Sequence, residues 1–262
     1  MKIQKVLRLL AAGALALSSG AYAQNVTVNP GAGSYPDLKS AFDAINAGTH
    51  TGAITISIVG DTTEAAAPVV LNASGNGAAS YTSVSITPSG ARTVTGAAPA
   101  GGPLIDLNGA DNVTFDGVNS GGNALTIANT TVSATSGTST IRLIGGATGN
   151  TITNASVLGS GTMSVATNGG NIFISTDANT ANGNDNNTIS NNRIGPAGAN
   201  LPTKGVYGNG SATTTAIGNS GIVVSNNEIF DFFGVAVTSA GVATGGGCNT
   251  WTISRFNEQV QQ

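Results

Sequence analysis

Four eight-residue segments of this chain align with one another without gaps: Asn150-Thr-Ile-Thr-Asn-Ala-Ser-Val157, Asn187-Thr-Ile-Ser-Asn-Asn-Arg-Ile194, Ile222-Val-Val-Ser-Asn-Asn-Glu-Ile229 and Asn249-Thr-Trp-Thr-Ile-Ser-Arg-Phe256. A looser copy, Asn112-Val-Thr-Phe-Asp-Gly-Val118, precedes them. Each aligned segment follows another short strand, opening at Ile141, Ile172, Gly205 and Gly234, and these openings lie 31, 33 and 29 residues apart. A constant strand separated by loops of variable length is the signature of stacked coils, because insertions are tolerated only where the chain turns. Stacking sets equivalent residues about 4.8 Å apart. On this alignment Ile152, Ile189, Val224 and Trp251 form one inward ladder, and Val157, Ile194, Ile229 and Phe256 a second. Asn154, Asn191 and Asn226 share a turn position at which amides can hydrogen-bond along the stack. Ser156, Arg193, Glu228 and Arg255 share another, where the charges alternate in sign. An exposed ion pair contributes only about 0.2–1 kcal/mol, so its worth here is as a marker of register.

The rest of the chain agrees with coils. Ala53-Ile-Thr-Ile-Ser-Ile-Val-Gly60 alternates apolar and polar residues with period two, and short runs recur at 68–71, 83–87, 103–107, 172–175 and 234–237 between Gly, Asn and Ser. These patterns predict strands and turns throughout. The exception is Ser34–Gly48, where Leu38, Ala41, Phe42 and Ile45 fall at i, i+3, i+4 and i+7 and predict one amphipathic helix. Pro36 and Asp37 suit its first turn, and Gly48 suits its C-terminal cap.

Residues 1–23 read as a signal peptide. Lys2, Lys5 and Arg8 precede the apolar run Leu9–Leu17, which is too short to span a bilayer, and Ala21-Tyr-Ala23 offers a cleavage site. The expected mature chain is therefore secreted or held at the cell surface, with no membrane span. It loses three of the nine basic residues and none of the twelve acidic ones. Such an acidic chain argues against nucleic acid as a partner, which requires clustered positive charge. Charged residues are 8% of the sequence, against roughly 25% in an average protein, so Asn, Thr, Ser and backbone must supply solubility. The single Cys248 excludes an intramolecular disulfide, and with one His it leaves no usual zinc or copper ligand set.

The helix, the Ile-Thr-Ile-Ser-Ile-Val-Gly strand and Pro103-Leu-Ile-Asp-Leu-Asn-Gly-Ala-Asp-Asn-Val-Thr-Phe-Asp-Gly117 together resemble the right-handed parallel β-helix repeat proteins of the pectate-lyase-like superfamily, in particular its long bacterial surface proteins. The resemblance covers roughly residues 25–256. It implies an all-β, right-handed parallel β-helix solenoid with an N-terminal amphipathic capping helix. Its expected parts are an N-terminal strand and cap over 24–52, coils over 53–256 and a short tail over 257–262. That tail is either a minimal cap or the mark of a longer chain whose further coils lie beyond it.

No catalytic residues are assigned. Polygalacturonase-like relatives carry Asp-Asp, Gly-His-Gly and Arg-x-Lys signatures, and this sequence has none of them. A pectate-lyase-like reaction needs carboxylates for calcium and an Arg or Lys base. Asp106, Asp111 and Asp116, with Arg142, are the residues to weigh for it, against turn and strand roles. No cofactor is expected apart from calcium, for which Asp177, Asn179 and Asp185 offer hard oxygen ligands in an Asn/Asp-rich loop. Phe230-Asp-Phe-Phe233 is either core at a bend or a sugar-stacking patch. The expected role is a structural or adhesive surface module that binds an extracellular polysaccharide or surface glycan; the alternatives are a calcium-assisted polysaccharide lyase or an inactive piece of a longer surface protein.

Overall fold

The computed structural model describes residues 24–31, 34–118, 124–176, 182–210, 217–240, 251–254 and 257–260. The signal-peptide segment, Cys248, Asp177, Asn179, Arg255 and Phe256 lie outside the described residues. Three parallel sheets are wound by one repeated path. The first holds β1 (Gln24–Val28), β2 (Thr51–Ile58), β5 (Ser80–Pro88), β8 (Val113–Asp116), β11 (Thr151–Thr153), β14 (Thr188–Ser190), β17 (Val223–Ser225) and β20 (Thr252–Ser254). The second holds β3 (Thr62–Glu64), β6 (Arg92–Gly96), β9 (Leu125–Asn129), β12 (Ala155–Gly159), β15 (Arg193–Pro196), β18 (Glu228–Phe232) and β21 (Asn257–Val260). The third holds β4 (Val69–Asn72), β7 (Pro103–Asn108), β10 (Ser139–Ile144), β13 (Gly170–Ile174), β16 (Lys204–Asn209) and β19 (Val235–Ala240). From β2 onward the chain visits first, second and third sheet in turn and begins again, which makes an all-β parallel β-solenoid.

Side chains from all three sheets fill the interior. Ile152, Ile189 and Val224 are register partners in the first sheet and Val157, Ile194 and Ile229 in the second, each at most 1% exposed. Burying such a side chain stabilises by about 1.5–3 kcal/mol. The top of each ladder differs from the sequence alignment. Val224 pairs with Ile253, so Trp251 stands two residues before the ladder place and instead donates its indole N–H to the Asn219 carbonyl at 3.0 Å. Ile229 pairs with Glu258 and Glu228 with Asn257, so neither Phe256 nor Arg255 is the partner at those places. Residues 257–260, expected as a tail, are strand β21. The third sheet is also shifted from the expected openings: Ile172 pairs with Val206 rather than Gly205, and Val206 with Val237.

Asparagines make the corners. Asn154, Asn191 and Asn226 have φ of 54°, 58° and 56°, the left-handed conformation that Asn tolerates better than other residues with a Cβ. Their backbone N–H groups donate to Ser190, Ser225 and Ser254 of the next coil. They are not the amide ladder, because a left-handed residue turns its side chain outward and the following residue inward. The stacked amides are the next ones along: Asn227 Oδ1 accepts from the Asn192 backbone N–H at 2.9 Å and from Asn192 Nδ2 at 3.1 Å. Asn192 and Asn227 then donate to the Ile152 and Ile189 carbonyls. Asn150 with Asn187, and Asn184 with Asn219, repeat this arrangement at other corners.

The helix α1 (Leu38–Asn46) closes the N-terminal end of the stack. Asp37 is its N-cap, accepting from the Ser40 N–H at 2.7 Å, and Leu38, Ala41, Phe42 and Ile45 are wholly buried. Two further N–H groups of its first turn, on Leu38 and Lys39, donate to the two carboxylate oxygens of Glu64 on β3, each at 3.0 Å. Thr62 donates to the same carboxylate. Glu64 is 1% exposed, and burial pushes its carboxyl above the ordinary glutamate value.

Candidate functional site

The outer face of the third sheet brings ionisable and aromatic side chains together. Asp106, Arg142, Phe173 and Tyr207 occupy successive places in register across β7, β10, β13 and β16. Side chains on both faces of these strands are largely buried. Arg142 grips Asp106 with two parallel hydrogen bonds, Nε to Oδ1 at 2.9 Å and Nη2 to Oδ2 at 2.7 Å. This fork geometry is the strongest form of a carboxylate–guanidinium contact. The arginine side chain is 23% exposed and the aspartate 8%.

Beyond them the Phe173 and Tyr207 rings meet with centroids 5.7 Å apart, and the Lys204 ammonium lies 4.4 Å from the centre of the Tyr207 ring. Lys204 is wholly buried. Its Nζ donates to the carbonyls of Ser164, at 3.1 Å, and of Thr167. The Tyr207 hydroxyl donates to Asn168 at 3.2 Å. The loop between β12 and β13 is thus clamped across the face by a caged ammonium. Burial pushes the Lys204 amine down to about 8. Lys204 was not singled out by sequence, since its carbonyl partners lie more than thirty residues upstream and carry no side-chain signature.

The other candidate residues do not converge. Asp106 lies on the third sheet and Asp116 on the first, with Asp111 in the corner between them. Asp111 accepts from the Thr148 N–H at 2.7 Å, and Asp116 from the Val118 N–H and from Asn154 Nδ2, both at 2.9 Å. Each therefore ties one coil to its own turn or to the next. Asp185, the described member of the calcium trio, accepts from the Ser220 N–H of the following coil at 2.7 Å. Among the described residues there is no group of three His, Cys, Asp or Glu side chains placed to hold a metal ion. His50 is held by Tyr35 at 2.7 Å and by Gln24 at 3.0 Å beside the N-terminal cap.

The aromatic cluster divides. Phe232 is buried in the core, Phe233 is 75% exposed, and Phe230 lies outside on β18 under the Arg193 guanidinium, 4.6 Å from its ring centre. Arg193 also pairs with Glu228 across the coils at 2.7 Å. Asp231, at φ 46°, marks the irregularity that turns Phe232 inward.

No protein-family description matches this chain, and no curated protein matches it. Among solved structures, the pectin methylesterase from Aspergillus niger is similar over 90% of this chain and 85% of its own, at 13% identity and a TM-score of 0.32. The class that the molecule's own architecture defines is the parallel β-solenoid.

Proposed function

We propose that this protein is an exported surface module with a structural and adhesive role, binding an extracellular glycan rather than transforming it. The observation that carries this reading is where the charged side chains are engaged. Asp37 and Glu64 cap the helix, Asp61 accepts the Thr93 N–H of the next coil, and Asp111 and Asp185 do the same for Thr148 and Ser220. Asp106 and Glu228 are held by arginines of neighbouring coils. Carboxylates committed to inter-coil bonds stabilise a rod; they are poorly placed to ligate calcium or to move a proton. An arginine locked in a bidentate pair is likewise a poor base. Exposed Phe233 is the aromatic face best placed to stack on a sugar ring.

The test is a calcium titration of the purified protein with polygalacturonate, read by the absorbance of unsaturated product and by thermal melting, together with retention on extracellular polysaccharides. The expected result is no product, no calcium-linked shift in melting, and retention weakened by Phe233→Ala. Calcium-dependent product would overturn the reading and direct attention to Asp106 and Arg142.

A further inference from the structure

The first sheet carries on its outer face two columns of mostly hydroxyl-bearing side chains, broken by Val223 in one and by Asp116 in the other. One runs Thr55, Ser85, Thr114, Thr151, Thr188, Val223, Thr252, each the register partner of the next. The other, two residues along each strand, contains Thr27, Ser57 and Thr87, and then Asp116, Thr153, Ser190, Ser225 and Ser254. The local sequence behind it is Thr-x-Ser or Thr-x-Thr with a buried isoleucine between, as in Thr55-Ile-Ser57, Thr151-Ile-Thr153 and Thr188-Ile-Ser190; Thr252-Ile-Ser254 repeats the pattern with Ile253 45% exposed.

Its spacing is fixed by the backbone. Neighbours in a column are about 4.8 Å apart and the two columns about 6.6 Å apart, because ladder spacing and the two-residue rise of a strand set both. Threonine is stiff at χ1, so the first column, in which five of the seven places are threonine, is ordered before anything binds. Columns also bond to themselves: the Thr153 and Ser190 hydroxyls lie 3.1 Å apart.

The chemistry of the face excludes most partners. Its outward positions carry one ionisable group, Asp116, whereas the other two sheets carry the Arg193–Glu228 and Asp106–Arg142 pairs. A face so nearly uncharged offers nothing to nucleic acid or anionic lipid. Its outward positions also hold no aromatic ring or arginine, the anchors of protein interfaces. What it complements is a neutral, hydroxylic and periodic surface with a rectangular repeat of a few ångströms. The geometry points to ice: we propose that the outer face of the first sheet is an ice-binding plane, whose two hydroxyl columns hold water in an array close to the oxygen repeat of the hexagonal lattice. The proposal goes beyond the surface role above and does not depend on the glycan.

The experiment is ice-crystal growth and recrystallisation in solutions of the purified protein, with Thr151→Lys and Thr188→Lys on the face and Thr126→Lys on the second sheet as control. Circular dichroism and melting confirm that each variant is folded. The expected result is that the wild-type protein shapes crystals and suppresses recrystallisation, that each face variant needs about tenfold more protein for the same effect, and that the control is unchanged. A folded wild-type protein without effect on ice would overturn the proposal. So would equal behaviour of face and control variants, or variants that lose only retention on crystalline polysaccharide.

Discussion

Lys204 is where a single side chain most changes the behaviour of the molecule. Its amine is pushed down to about 8 by burial, from 10.5 in water. Below about pH 8 both folded and unfolded chains carry the proton, and the desolvation cost of the cation is borne in full. Between about 8 and 10.5 the unfolded chain binds more protons than the folded one, so stability must rise with pH across that window. Melting temperature measured against pH tests this: the wild type gains stability in that range relative to Lys204→Met, and parallel curves would contradict it. Core positions are simpler. Ile189 is 1% exposed between Ile152 and Val224, and Ile189→Asp puts a charge into that ladder. The expected loss is about 3 kcal/mol or more, read by urea unfolding; a variant that unfolds with the wild type would refute the placement of this ladder. Sequence showed Ile189 plainly through period two and repetition. It could not show Lys204, whose carbonyl cage comes from another coil.

At the scale of elements, the helix was legible because its four buried residues recur at helical spacing, whereas its anchor was not. Glu64 lies on β3, twenty-six residues from the Leu38 N–H that it accepts, and no local pattern links them. Glu64→Ala leaves two N–H groups at a buried helix end unpartnered and should cost about 1–3 kcal/mol, measured by thermal melting. Because burial raises the Glu64 carboxyl above 4.5, the folded state holds its proton to higher pH than the unfolded chain. Its contribution is therefore greatest below pH 4.5 and declines as pH rises through the native value, and Glu64→Gln should remove that slope. The sheets differ in legibility for the same reason. The first sheet alternates cleanly because one face meets solvent. In the third, β7, β10, β13 and β16 are buried on both faces, so period two is blurred into nearly continuous apolar runs. The aligned ladder slipped after Val224 because Trp251 and Ile253 are both apolar and two residues apart, and a period-two pattern cannot choose between them.

For the whole molecule, stability is a sum over neighbouring coils, with corners held by buried amides and carboxylates that bond the next turn. That economy explains an acidic, charge-poor chain that still folds: Asn and Asp supply the inter-coil bonds that other proteins make with longer side chains. The solenoid was visible in the sequence because coils repeat; the ruled hydroxyl face is visible only once register is known, since Thr and Ser also serve as ordinary strand surface. Coil stacking and the hydroxyl face both require the continuous register that links Thr55 to Thr252 across the first sheet. Spin labels at Thr55 and at Thr114, Thr188 or Thr252, in a chain with Cys248→Ser, measure it by dipolar spectroscopy. Separations growing by about 4.8 Å per coil, to roughly 29 Å between positions 55 and 252, are the predicted result. Separations that fail to grow in that order would mean the coils do not stack as described, and the structural reading and the hydroxyl face would fall together.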